Sequence, residues 1–503
     1  MKVVHGEDSR GPIASSTIVI GALAVLAFTV VGGNSVQTVA PITAVIVIAA
    51  IAYRTVLAWR SLLALIILVI LFIPIKRYSL PASLPFNLEP YRLLVAFVAA
   101  GWLTSLLIDR RVRLRRSGLE GPLGLYAVAI LSSLLANSHR VGTLSGEVQK
   151  KLAFFASFFI LFYLIVSVAR RARDIEFIVQ VLAGGGAVLA FFAVIESRTG
   201  YNIFDHLSSA IPFLHLNGLA VPVIDDRGGR LRVFASAQHA IALGAVFVIL
   251  LPLAIYRARS RGLWQWWIAV MLLVLGALAT SSRTAVVMLG VEGLVFLLLR
   301  PVEMKRLWLA LIPALLVIHF AIPGALGTVR GSFFPRGGLI SEQQSPRVGS
   351  GRLATLGPVL HSEYYKNPLV GEGFGTRITK ATDLVPVPNG PILDDEWLGI
   401  LVETGLIGAL SLVWMFIRII RRLGSEAKRD LSSRGGLLVS LTAGIAAFAV
   451  SMFLYDAFAF IQIAFMLFIF LGLGVCTYLA PAAEWAVEEK LVPRAKRFRP
   501  VPA

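Results

Sequence analysis

Fourteen apolar stretches, most of them 15–20 residues long, succeed one another along this chain of 503 residues. They lie at about 13–31, 36–53, 61–75, 93–108, 122–137, 152–169, 175–194, 239–256, 263–280, 284–299, 307–323, 398–417, 437–455 and 461–478. Some 20 apolar residues in a helix cross the ~30 Å of hydrocarbon in a bilayer. Lipid offers no partner to a backbone N–H or C=O, so each crossing has to be helical. Charged residues make up only 15% of the chain, against about 25% in a soluble domain. Most of the surface therefore has to face lipid. The expected fold is all-α, a polytopic transmembrane bundle of 12–14 helices forming one integral membrane domain over residues 1–503. The range reflects the shortness of 122–137 and the region 437–478, which suits one tight hairpin or something more irregular.

No small-residue cleavage site follows the first apolar run, which reads as a retained helix rather than a signal peptide. The lone cysteine, Cys476, excludes a disulfide framework and a cysteine-based metal site. The net charge of +19 invites a nucleic-acid or anionic-lipid reading, and its distribution along the chain points to membrane topology. Of the 47 Lys and Arg residues, 29 fall in the termini and in the loops 54–60, 109–121, 170–174, 257–262, 300–306 and 418–436. The other 18 are spread over the opposite loops at less than half that density. The richer side marks the cytoplasmic face. Both termini, including the tail 479–503, are then inside, as an even number of crossings requires.

Two long outer loops remain, 197–238 and 324–397, the second punctuated by Gly and Pro with a short helix expected around Arg352–Lys366. Long loops of this kind carry function or are disordered. Three arginine contexts stand on this face: Arg230 and Arg232 ahead of His239, Ser282-Arg283 in a tight hairpin turn, and Arg352 in the large loop. A guanidinium fork stays charged at any working pH and suits phosphate. Singly, each suits a lipid headgroup or a nearby carboxylate equally well.

The large loop closes on Asp394, Asp395 and Glu396 at the mouth of a membrane helix, with Glu403 deeper in it. Asp is a favoured N-cap, and carboxylates suit the positive end of the helix dipole. Alternatively, one of them takes the proton of an attacking hydroxyl. Glu403 needs a partner or a cavity, and His239 fits a helix start or packing as readily as a ligand. The spacing of His, Asp and Glu offers no metal site, and no phosphate-binding glycine loop is present.

In order along the chain, these features resemble the O-antigen ligase/O-antigen polymerase family of bacterial membrane glycosyltransferases, over about 197–410. The family's arginine before a Gly-Thr-Phe-x-His-Pro-like stretch is matched by Arg232 before Ala235-Ser-Ala-Gln-His239, with Ala240 in place of the proline. Its Ser-Arg hairpin tip is matched by Ser282-Arg283. Its large-loop arginine and Asn/His-Pro-Leu-x-Gly-x-Gly turn correspond to Arg352 and Asn367-Pro-Leu-Val-Gly-Glu-Gly373. Its closing pattern is matched by Asp394-Asp-Glu-Trp-Leu398 and Glu403-Thr-Gly-Leu-Ile-Gly408. Asp394 stands where ligases proper carry a histidine, which favours another ligase or polymerase of the wider family. More distantly, the plan resembles peptidoglycan polymerases that use an outer-loop Asp.

The resemblance implies transfer of a glycan from a polyprenyl-diphosphate carrier to the hydroxyl of a glycan or glycolipid acceptor, without metal or other cofactor, at the outer face of a bacterial cytoplasmic membrane. Membrane lipids are then partners and nucleic acid is not. Arg232 and Arg283 would hold the diphosphate and stabilise the leaving charge, Arg352 would orient donor or acceptor, and Asp394 or Asp395 would activate the hydroxyl. Arg230, His239 and Glu403 belong to the same candidate set. The alternatives are a transporter or flippase of lipid-linked saccharide and a non-catalytic cell-envelope assembly protein. Against transport, the apolar stretches show neither paired charges nor broken-helix signals.

Overall fold

The computed structural model describes residues 58–80, 88–108, 113–217, 231–302, 364–377 and 394–485, with isolated positions between 327 and 361. The chain divides into a unit of residues 1–65, described only from residue 58, and a unit of residues 66–503.

The described residues form helices α1 (Trp59–Phe72), α2 (Pro90–Ile108), α3 (Glu120–Ala136), α4 (Ser145–Val168), α5 (Ala172–Thr199), α6 (Ala240–Arg261), α7 (Trp264–Ala279), α8 (Arg283–Leu299), α9 (Glu396–Arg429), α10 (Ser433–Ser451) and α11 (Ile461–Leu479). Each falls on one of the expected apolar stretches. The stretches 13–31, 36–53 and 307–323 lie outside the described residues. The short 122–137 stretch forms a complete helix, and 437–478 forms two helices joined by a turn at 452–460. Seven of the helices are long and apolar enough to cross a membrane. The chain is a polytopic, helical membrane protein.

Sequence decides where each helix sits. α11 is apolar on every side, and such a helix has to be enclosed; all its residues from Ile461 to Thr477 are buried, against α4 and α10 above all. α6 is nearly as enclosed, packed by α5, α7, α8 and α10. α2 keeps Phe97 66% and Leu107 88% exposed, apolar surface that only lipid suits. A two-residue antiparallel pairing, Tyr78–Ser79 (β1) with His215–Leu216 (β2), ties the connection after α1 to the one after α5.

α9 is broken. Gly405, with φ 65° and ψ −166°, interrupts it after two turns, in a backbone region open to glycine almost alone. A break inside hydrocarbon frees N–H and C=O groups, each costly to leave unpaired. The turn 367–372 takes them up. The N–H groups of Leu406 and Ile407 donate to the carbonyls of Pro368 and Leu369 at 2.9 and 3.3 Å, and the N–H of Glu372 donates to the carbonyl of Val402 at 2.8 Å. The side chain of Ser133, from α3, donates to the freed carbonyl of Glu403. The two backbones meet so closely that a methyl on Gly371 would lie 2.5 Å from the carbonyl carbon of Glu403.

Two expectations are corrected here. A broken membrane helix does exist, and its signal was the pair of glycine motifs, Asn367-Pro-Leu-Val-Gly371 and Glu403-Thr-Gly405, which bind each other. Paired charges also exist, because the helices run past their apolar windows into charged turns. α4 begins at Ser145 and carries Lys151, which bonds Glu403 of α9 at 2.7 Å. Glu176 of α5 accepts from Tyr256, Arg257 and Arg261 of α6.

Replacing Gly405 by Ala should cost roughly 2–6 kcal/mol, combining backbone strain with overpacking against Leu369. The check is thermal unfolding of the purified protein in detergent. A melting temperature equal to that of the unsubstituted protein would refute the interlock.

Candidate functional site

Arg232, His239, Arg283, Asp394 and Asp395 lie at the end of the bundle where α1, α5, α7 and α10 finish and α6, α8, α9 and α11 begin. The stretch 231–239 runs into α6 and is clamped on all sides. Arg77, 1% exposed, reaches it from the connection after α1. Its Nη2 donates to the carbonyls of Ala235 and Ala237, the latter at 2.9 Å, and its Nη1 pairs with Asp205 at 2.6 Å. The guanidinium also lies 5.1 Å from the centre of the Phe234 ring. Burial pulls the Arg77 pKa below the ordinary arginine value, and Asp205 opposes that pull. From the last turn of α5, the Glu196 carboxylate accepts the N–H groups of Phe234 and Ala235 at 3.2 and 2.9 Å. Asn202 donates to the carbonyl of Ala235 at 3.1 Å. Ala235 itself has φ 41°, a conformation that a non-glycine residue holds only when its surroundings impose it.

This clamp fixes Arg232, which is 5% exposed and whose Nε points to the carbonyl of Thr280 at 3.4 Å. Thr280 opens the α7–α8 turn, Thr280-Ser-Ser-Arg283, so Arg232 and Arg283 are brought to the same turn. Ser281 has φ 50° there, and Ser282 stands at the N-cap of α8. Gly244 of α6 lets this turn pack closely, because a methyl there would lie 2.7 Å from Oγ1 of Thr280. His239 caps α6, its Nδ1 accepting the N–H of Ile241 at 3.1 Å, and its ring lies 5.8 Å from that of Phe460. Arg230 and Arg352 lie outside the described residues. Of the helix expected near Arg352–Lys366, residues 356–357 and 359–361 are helical and Tyr364–Lys366 form a 3-10 turn.

Asp394 and Asp395 precede α9, both half-buried. Asp395 is the N-cap, with Oδ1 accepting the N–H of Leu398 at 3.1 Å. Asp394 has φ 47°, a left-handed conformation that Asp tolerates better than most residues. Glu396 ties this turn to the α10–α11 connection: its N–H donates to the carbonyl of Met452 at 2.8 Å, and its Oε2 accepts the N–H of Phe458 at 2.9 Å. The same connection reaches the arginine loop, since the N–H of Ile461 donates to Oε1 of Gln238 at 3.2 Å. Thus the turn 452–461 joins the aspartate-bearing end of α9 to the stretch that carries Arg232 and His239.

Glu403 does not join Arg232 and Arg283. It is 4% exposed and spends its carboxylate on Lys151. Next to it, Glu372 pairs with Arg140 and lies 3.6 Å from Lys366, and Arg377 pairs with Asp456 at 3.3 Å. Sequence reading missed Arg77, Lys151, Glu196, Glu372 and Arg377. Each is an unremarkable charge in sequence, and only the chain path brings it to its partner. Among the described residues, no group of His, Cys, Asp or Glu has metal-binding geometry. Neither a family model nor a curated protein matches this chain.

Arg77→Ala should loosen the 231–239 stretch and lower stability by roughly 1.5–3 kcal/mol, the worth of hydrogen bonds to a charged group. Hydrogen exchange of residues 233–239, with the melting temperature, measures both; unchanged protection would refute the clamp.

Proposed function

We propose that the protein transfers or polymerises a glycan from a polyprenyl-diphosphate carrier onto an acceptor hydroxyl, at the outer face of a bacterial cytoplasmic membrane. The observation that carries this reading is the meeting of Arg232 with the Thr280–Arg283 turn, which gathers two arginines from separate loops at one helix-bundle mouth. A diphosphate leaving group needs such positive charge where its own charge develops. The ordered motifs shared with the O-antigen ligase/polymerase family support the same reading.

In the proposed reaction, the acceptor oxygen attacks the anomeric carbon of the donor sugar. The bond from that carbon to the diphosphate oxygen breaks, and polyprenyl diphosphate leaves with the electron pair. Arg232 and Arg283 hold the leaving oxygens, and Arg352 orients donor or acceptor. A carboxylate receives the hydroxyl proton. The candidates are Asp394 and Asp395, the latter also giving Oδ1 to the cap of α9. Arg230 and His239 belong to the same candidate set, and Glu403, bonded to Lys151, joins α9 to α4 beside the supporting turn. The carrier's hydrocarbon chain lies against lipid-facing helices, and both termini are cytoplasmic. A second reading is transport of the same lipid-linked saccharide, a class in which broken membrane helices recur. At the Gly405 break the freed backbone groups are taken up by the turn 367–372, which weighs against it.

Arg283→Ala should lower product formed from lipid-linked oligosaccharide by about 10²–10³-fold, the loss typical of removing one charge-stabilising donor. Membrane abundance should stay unchanged. Normal product from the purified variant would reject the reading, and product from the parent protein would reject transport alone.

Orientation has its own test. Cys476 is buried, so a membrane-impermeant maleimide should leave the parent protein unlabelled in intact spheroplasts. Lys366→Cys should label at once and Arg421→Cys only after permeabilisation; the reverse order would invert the topology.

A further inference from the structure

A second charged group stands at the same end of the bundle, on different elements from Arg232 and Arg283. Arg377 lays its guanidinium over the first turn of α9, where a methyl on Gly399 would collide with Nη1. Its Nη2 faces both carboxylate oxygens of Asp456, at 3.3 and 3.4 Å. The two side chains are only 8% and 12% exposed. A guanidinium carries five N–H donors. Here Asp456 receives two long bonds from one nitrogen, and the buried Nε has no acceptor. A buried charged donor left unsatisfied is costly enough to call for an explanation.

The surrounding charge narrows the choice of ligand. Glu396 is buried beside this pair and feels Lys151, Asp456 and Glu403. With Glu372, Arg140 and Lys366 next to Glu403, four carboxylates share the region with four cations among the described residues, and Lys151 and Arg140 are committed to Glu403 and Glu372. A phosphate placed here would find no surplus of cations. A neutral polyol needs none, and each of its hydroxyls both accepts and donates. Phe374 and Phe458, three and two residues from Arg377 and Asp456 in sequence, both pack on Phe155, at 5.2 and 5.1 Å. Paired donors and acceptors with aromatic rings close in the chain suit the mixed faces of a sugar ring.

We propose that Arg377 and Asp456 form a sugar subsite for the acceptor, separate from the diphosphate-holding arginines. Arg377 donates to one ring hydroxyl, and Asp456 accepts from its neighbour. Gly399, under Arg377, is one helical turn from Asp395, its N–H donating to the Asp395 carbonyl at 3.0 Å. The subsite therefore adjoins the carboxylates proposed to activate the acceptor. This inference deepens the glycan-transfer reading and rests on it.

The test uses the full-length protein in detergent, with two probes: an array of printed neutral and acidic oligosaccharides, and undecaprenyl diphosphate. The parent protein should bind a set of neutral oligosaccharides. Arg377→Lys, which keeps the charge and loses the planar fork, should weaken that binding at least tenfold, and so should Asp456→Asn. Both should keep the parent's affinity for undecaprenyl diphosphate. Arg283→Ala should do the reverse. No oligosaccharide binding by the parent, full binding by both variants, or loss of binding in Arg283→Ala would each overturn the subsite. If undecaprenyl diphosphate binding survives Arg283→Ala while the array result holds, the diphosphate assignment falls and the sugar subsite stands. Should either variant melt early, hydrogen exchange of the parent with its best array oligosaccharide decides. Protection over 371–377 and 395–400 supports the subsite, and its absence overturns it.

Discussion

In hydrocarbon, leaving a backbone polar group without a partner costs more than losing almost any single side-chain interaction. The break in α9 is where this protein meets that constraint. Interrupting the helix at Gly405 frees donors on one side and acceptors on the other, and the turn at 367–372 supplies the matching set. That turn thereby completes a membrane helix. Asn137 adds a bond from its side chain to the carbonyl of Gly371 at 2.9 Å, so α3 belongs to the same lock.

Ion pairs then secure what the backbone has set. Lys151 reaches Glu403 immediately above the break, while Arg140 reaches Glu372 on the inserted turn. A buried pair of this kind adds little net stability, although removing one partner is costly. Their placement argues for specificity of register: Lys151–Glu403 joins α4 to α9 beside the break, and Arg140–Glu372 ties the inserted turn to the segment 138–143 between α3 and α4. Glu396 extends the chain of contacts to the 452–461 turn, and that turn passes it on to Gln238 and His239. Position at the arginine loop is therefore set partly by residues more than 200 positions away in sequence.

Much of the architecture was legible from periodicity and length, because a membrane helix announces itself by apolar run alone. α3 and the α10–α11 hairpin, the weakest signals, formed as complete helices. What sequence could not reveal was pairing. Gly371 and Gly405 read as turn glycines, each ordinary by itself, and only their mutual approach makes them one feature. Lys151 sat at the edge of an apolar window, so it counted toward loop charge when it belongs to a helix. At the candidate site, Arg232 and Arg283 were legible as guanidiniums beside small residues, whereas Arg77 and Glu196 were not, since they act on backbone atoms of another segment. A carbonyl has no sequence signature, and clamps built on carbonyls are invisible until the chain is folded.

The broken helix also bears on the choice between transfer and transport. Transporters use the unwound part of a discontinuous helix to coordinate ions or substrate through backbone groups left open for that purpose. In α9 those groups are closed: Leu406, Ile407 and Val402 all bond to the inserted turn, and the carbonyl of Glu403 takes the Ser133 hydroxyl. A break saturated in this way offers nothing to a passing ion. It holds the turn 367–372 on α9, at the end of the bundle that carries the acids at the start of α9 and the Thr280–Arg283 turn. Rigid, opposed charges set on helix ends are what proton removal from one reactant and charge stabilisation on another require. A moving gate would need the reverse, a contact that can be given up at small cost.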